Sequence, residues 1–115
     1  MSKLYQFYAL SEETTPQEFR YIGVTTKKLS DRFAQHKYCA RHENKRALPV
    51  HKWMYSVYKN GRNIIYSKID ECEESQWEIR EQELITKYSK QFSLLNLDKG
   101  GKGVITKEKR ESDGI

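Results

Sequence analysis

Two short segments near the start limit what the rest of the chain can build. Leu4 to Leu10 (LYQFYAL) and Phe19 to Thr25 (FRYIGVT) are rich in aromatic and β-branched residues, and only the polar, proline-containing stretch Ser11 to Glu18 separates them. Such segments suit a pleated, half-buried surface, so they read as two antiparallel strands joined by an enlarged hairpin loop. Side chains alternate along a strand. Phe19, Tyr21, Gly23 and Thr25 therefore share one face of the second strand, and Gln6, Tyr8 and Leu10 share one face of the first. A glycine inside a strand suggests that something approaches the backbone closely, here at Gly23.

Helical spacing takes over after the hairpin. Leu29, Phe33 and Ala40 fall on one face of a helix predicted from about Lys28 to Ala40, with Thr25 and Thr26 available upstream as N-caps. The polar, basic run Cys39 to Ala47 (CARHENKRA) reads as a helix end or loop. Pro49 then fits a first helical position and Asn60-Gly61 an ending, so Pro49 to Lys59 is a second helix burying Trp53, Met54 and Val57. Asn63 to Ile69 (NIIYSKI) reads as a third strand. Its acidic continuation leads to Ser75-x-x-Glu78, which matches a capping box ahead of a long helix running to about Lys90.

That last helix carries an anomaly. Trp77, Leu84, Ile85 and Tyr88 form an apolar stripe, and Glu81 lies within it, four residues after Trp77 and four before Ile85. A carboxylate on a core-facing stripe costs several kcal/mol unless it meets a cation, a metal or good hydrogen-bond donors. Glu81 is thus the strongest functional candidate from spacing alone, whereas Glu78 and Glu83 sit on flanking faces where solvated acids are ordinary.

Charge points to the class of partner. The 115 residues carry a formal net charge of +5, but residues 27 to 62 hold ten Lys or Arg against Asp31 and Glu43, while residues 63 to 98 hold four against eight acids. A basic segment interleaved with Tyr and Trp makes nucleic acid the first partner to consider, against the plainer reading of a solvated basic surface. No apolar run approaches the roughly 18 residues of a spanning helix, and the first ten residues lack the pattern of a secretory leader. Cys39 and Cys72 form no framework. A soluble, cytoplasmic protein of one domain with reduced thiols and no membrane is the expectation.

Hydrolysis of a phosphodiester would need an activated water, a cation on the nonbridging oxygens and help for the leaving oxygen. Arg32 and His36 stand four apart on the first helix and project from one face: the planar fork of Arg suits a phosphate, and His suits proton transfer near neutrality. Tyr8 and Tyr21 occupy parallel places on adjacent strands. Other constellations fail: Cys39-x-x-His42 is half of a zinc spacing, and His51 and Cys72 complete no standard pattern. The glycines at 100, 101 and 103 neither follow a strand nor open a helix, which excludes a nucleotide-binding loop.

Taken in order, these residues resemble the GIY-YIG nuclease family, the catalytic domain of homing and restriction-type endonucleases. Tyr21-Ile22-Gly23 completes the second tyrosine motif, and Arg32 with His36 follows at the family's spacing. Glu81-Gln82-Glu83-Leu84-Ile85 is similar to the segment around the family's metal-binding glutamate, and Leu94-Leu95-Asn96 with Gly100-Gly101 to its closing segment. The first motif departs from the family: Gln6-Phe7-Tyr8 stands where Gly-Ile-Tyr is usual, and only the tyrosine is kept. Tyr5 is a rival, but Tyr8-Ala9-Leu10 matches the motif's continuation.

The resemblance implies an α+β fold, a small three-stranded antiparallel sheet flanked by about three helices, with residues 1–103 as the catalytic domain and 104–115 as a charged tail. It implies a DNA endonuclease acting on double-stranded DNA, with one Mg²⁺ held by Glu81 and Mn²⁺ able to substitute. Tyr8 would serve as general base or orienter of the attacking water, and Tyr21 would position water or phosphate. Which tyrosine takes the proton stays open. Arg32 would hold the scissile phosphate, His36 would assist by hydrogen bonding or proton transfer, and Asn96 would orient the site or contact the phosphate. Lys37, Arg41, Lys45 and Arg46 would line the DNA path, with Lys99 and Lys102 as weaker contacts. A catalytically inactive nucleic-acid-binding module on the same fold is the alternative, and a protein-interaction domain with a basic face is a third class. A chain of this length is expected to lack an appended recognition domain.

Overall fold

The computed structural model describes residues 3–42 and 48–96. The two opening segments form β1, Leu4–Glu12, and β2, Tyr21–Thr25, paired antiparallel with Tyr8 opposite Gly23 and Leu10 opposite Tyr21. After β2 come α1, Leu29–Arg41, α2, Pro49–Lys59, β3, Ile64–Glu73, and α3, Trp77–Ser89. The sheet order is β2-β1-β3 with both pairings antiparallel, so β1 is the central strand. The fold is α+β, as expected.

Central position explains the composition of β1. Phe7, Tyr8, Ala9, Leu10 and Ser11 are all buried, because both faces of this strand are covered. Phe7 and Ala9 pack with Ile22, Cys72 and the α3 residues Leu84 and Ile85. Tyr8 and Leu10 point the other way, into Ala40 of α1, Val50, Met54 and Val57 of α2, and Ile64. Alternation along one strand thus sorts its residues into two cores, each buried large aliphatic or aromatic side chain contributing about 1.5–3 kcal/mol.

Three local expectations are corrected. β3 continues through the acidic residues to Glu73 instead of ending at Ile69, because the long β1 offers partners along its whole length, Leu4 opposite Glu73 and Tyr5 opposite Cys72. The Ser75-x-x-Glu78 capping box does not form: residues 74–76 make a 3-10 turn, and neither the N-cap of α3, Gln76, nor that of α1, Lys28, caps through its side chain. Thr25 and Thr26 therefore do not cap α1. The Thr25 hydroxyl instead accepts from the Lys27 backbone N–H at 3.0 Å, shaping the turn that leads into the helix.

The last described segment closes the outer edge of β2. Leu95 N–H donates to the Arg20 carbonyl at 2.6 Å, and Arg20 Nε donates to the Ser93 carbonyl at 3.1 Å. An uncovered edge strand invites pairing with another chain, and here four residues of following chain occupy it. Cys39 is exposed and Cys72 buried, both as free thiols. Among the described residues no helix is long and apolar enough to cross a membrane. The expected tail 104–115 lies outside the described residues.

Candidate active site

Tyr8 is the residue around which the site is built. It stands opposite Gly23 in the β1–β2 register, and its phenol lies flat over that glycine: a Cβ placed on Gly23 would fall 2.4 Å from both Cζ and Oη of Tyr8. The glycine in the strand is therefore the floor of the tyrosine pocket. On its other side Tyr8 borders a bulge, where the register against β3 shifts so that Phe7 opposes Asp70 and Tyr8 opposes Lys68. Bulges locally bend and twist a strand and so re-aim neighbouring side chains.

The phenol is only 2% exposed, and its oxygen lies 2.6 Å from Nε2 of His36. His36 reaches it because it lies on the buried stripe of α1, between the half-buried Phe33 three residues earlier and the buried Ala40 four residues later. The imidazole, also 2% exposed, makes a second contact, with Nδ1 3.1 Å from Nε2 of His51 on α2. Tyr21 completes the aromatic cluster, its ring centroid 5.6 Å from that of His36 and 6.4 Å from that of Tyr8.

Arg32, one turn before His36, supplies positive charge. Its guanidinium donates to Gln35 Oε1 at 3.0 Å, and its charge acts on the Tyr8 side chain. Burial pushes the Tyr8 phenol above its ordinary value of 10.0; the Arg32 guanidinium opposes this, and the Glu81 carboxylate adds to the rise. Burial drives His36 from 6.5 down to about 3, with the charges of Arg32 and His51 acting in the same direction. His51 is lowered too, by burial and then by Arg32. At neutral pH the phenol is protonated and both imidazoles are neutral, so among the described residues Arg32 is the cation of this cluster.

Glu81 lies half-buried on α3, one turn after Trp77 and one turn before the buried Ile85, where the apolar stripe placed it. Its charge reaches the Tyr8 hydroxyl. Among the described residues no three His, Cys, Asp or Glu side chains cluster as a metal cage. With Glu81 as its carboxylate, a cation at this site would complete its shell largely with water and substrate oxygens. That donor set fits Mg²⁺ or Mn²⁺, which keep several waters, and does not fit a structural zinc.

Asn96 stands apart from the phenol cluster. Its amide pairs with the backbone of Ile22, accepting from Ile22 N–H at 3.1 Å and donating to the Ile22 carbonyl at 2.7 Å, as a neighbouring strand would. Of the two roles considered, this geometry serves orientation: Asn96 fixes β2 between Tyr21 and Gly23. Lys37 extends over the Phe33 ring at 5.3 Å, and Arg41 is exposed at the end of α1. Lys45, Arg46, Lys99 and Lys102 lie outside the described residues.

Nothing in the sequence pattern singles out His51. It completes no metal pattern, and its only trace is a position on the flank of the buried α2 stripe, one residue after Val50 and three before Met54. Recognising His36 as part of the α1 stripe would have exposed a buried imidazole in search of a second partner.

A family model for the GIY-YIG catalytic domain matches residues 4–96, from the first residue of β1 to Asn96. No curated protein and no solved structure matches the chain.

Proposed function

The chain belongs to the GIY-YIG nuclease family, and from that premise we propose that it is a divalent-metal-dependent endonuclease that hydrolyses phosphodiester bonds of double-stranded DNA. The observation that carries this reading is the convergence on one buried phenol: His36 bonded to its oxygen, Gly23 beneath its ring, and the opposite charges of Arg32 and Glu81 both acting on it.

Each side chain then has a task set by its chemistry. Arg32 binds the scissile phosphate, and its worth rises as charge accumulates on the nonbridging oxygens; removal of such a donor costs about 10²–10³ in rate. Tyr8 holds the attacking water through its hydroxyl, kept in place by His36 and the floor at Gly23. Tyr21, beside His36, orients water or phosphate. Glu81 is the residue that would hold Mg²⁺ or Mn²⁺, and a divalent ion there supplies Lewis acidity toward the phosphate oxygens. Asn96 keeps β2, and with it Tyr21 and Gly23, in register. Lys37 and Arg41 belong to a basic face around α1 and α2 that positions the DNA backbone without reading sequence.

Relaxation of a supercoiled plasmid tests this. Wild-type protein with Mg²⁺ or Mn²⁺ is expected to nick or linearise it, and Glu81→Ala protein is expected to leave its topology unchanged. Equal cutting by the variant would overturn the assignment of Glu81. Salt-sensitive binding without cutting under any divalent ion would favour an inactive binding module on the same fold.

A further inference from the structure

A neutral imidazole carries one N–H and one lone pair, so His36 cannot donate on both sides at once. With Nε2 against the Tyr8 oxygen and Nδ1 against His51 Nε2, the protons along the chain must all point one way. Either Tyr8 donates to His36 and His36 to His51, or His51 donates to His36 and His36 to Tyr8. Passing from the first arrangement to the second moves one proton along each bond.

This chain also resolves a difficulty left by Tyr8 and His36 alone. A buried phenol that keeps its own proton has no place for a second one, and a buried imidazole beside Arg32 resists becoming imidazolium, so the proton of the attacking water cannot come to rest on either. His51 is only half-buried, at the more exposed end of the row.

We propose that His51 is a positioning residue of this site and the terminal acceptor of a relay running from Tyr8 through His36, by which the proton of the attacking water leaves the buried cluster. The inference rests on the phosphodiester-hydrolysis reading. In the step, the water O–H bond breaks and its oxygen bonds phosphorus as hydroxide. Its proton joins the Tyr8 oxygen as the phenol proton passes to His36 Nε2 and the His36 Nδ1 proton passes to His51 Nε2. The bond from phosphorus to the leaving oxygen breaks with its electron pair on that oxygen, which takes a proton from solvent. His51, now imidazolium, returns its proton to solvent. Among the described residues, the charged and titratable groups facing the row are Arg32 on α1, Tyr8 on β1 and Tyr21 on β2, with the Glu81 charge reaching Tyr8 from α3.

The test is single-turnover plasmid cleavage with Mg²⁺ across pH 5–9, comparing wild type with His51→Ala and His51→Gln. Gln can keep a hydrogen bond to His36 but cannot carry the proton away. Both variants are expected to lose about 10–100-fold in kcat with KM within about twofold, the scale of a lost proton-transfer partner. The wild-type rate should rise with pH as His51 becomes neutral, a limb the variants lack, and added imidazole should restore His51→Ala. Rescue by imidazole also excludes misfolding as the cause. A cutting wild type with His51→Gln matching it in kcat and pH profile would overturn the relay while leaving the nuclease reading intact. Failure of wild type to cut would overturn that reading, and the relay with it.

Discussion

Replacing Gly23 by alanine tests the architecture of the site at its tightest point. The new Cβ would lie 2.4 Å from Cζ and Oη of Tyr8, at least 1 Å inside ordinary contact at 3.4–4 Å. Tyr8 cannot swing into solvent, being 2% exposed and packed against α1 and α2, so the strain must be taken up by β2 or by the ring. Overpacking of this kind costs about 1–3 kcal/mol. If the ring moves, the 2.6 Å contact to His36 is lost as well, at about 1–3 kcal/mol for a buried group left unpaired. Together these give roughly 2–6 kcal/mol, which at a urea m-value of about 1.5 kcal/mol/M lowers the unfolding midpoint by about 1–4 M. Equilibrium urea denaturation measures it, and plasmid cleavage should fall with it. In a Tyr8→Val background the same substitution should cost under about 1 kcal/mol, since the obstructing ring is gone. A Gly23→Ala protein within about 0.5 kcal/mol of wild type, with unchanged cleavage, would refute the account of this contact.

Arg32→Ala is expected to reduce kcat about 10²–10³-fold in the plasmid assay without unfolding the protein. Asn96→Ala removes both side-chain bonds to Ile22 and should destabilise the fold by about 1–3 kcal/mol in urea, the signature of a residue that orients β2. Stability should also fall in mild acid. Between an unfolded value near 6.5 and a folded value of about 3, the unfolded chain binds a proton that native His36 does not, so stability is lost as pH drops through that window. The loss approaches about 4–5 kcal/mol at its acid end, and comparing urea midpoints of wild type and His36→Asn at pH 7 and pH 4 isolates it from the carboxylates.

Much of this is legible in the sequence, for identifiable reasons. Pro49 and Asn60-Gly61 bound α2 because proline and glycine act locally, and the β1–β2 hairpin follows from two aromatic segments close in sequence. Glu81 stood out because a charge on an apolar stripe violates a periodic pattern that a reader can see. The extension of β3 to Glu73 was hidden, since it depends on the length of β1 rather than on the acidic residues themselves. The Ser75 capping box was a true local match that tertiary structure overrode with a 3-10 turn. The row from Tyr8 through His36 to His51 joins three elements distant in sequence, and only packing of α1 against α2 brings its last member into place.

Tyr8→Phe addresses the central claim most directly, because it removes one oxygen and keeps the ring that fills the pocket over Gly23. Binding and single-turnover cleavage of an end-labelled DNA duplex, measured side by side with Mg²⁺, should find wild type and Tyr8→Phe equal in affinity within about threefold. The wild type should cut, and the variant should be slower by about 10²-fold or more, the scale of a lost general base. A variant that cuts at the wild-type rate, or a wild type that binds the duplex and leaves it intact under every divalent ion, would contradict the account.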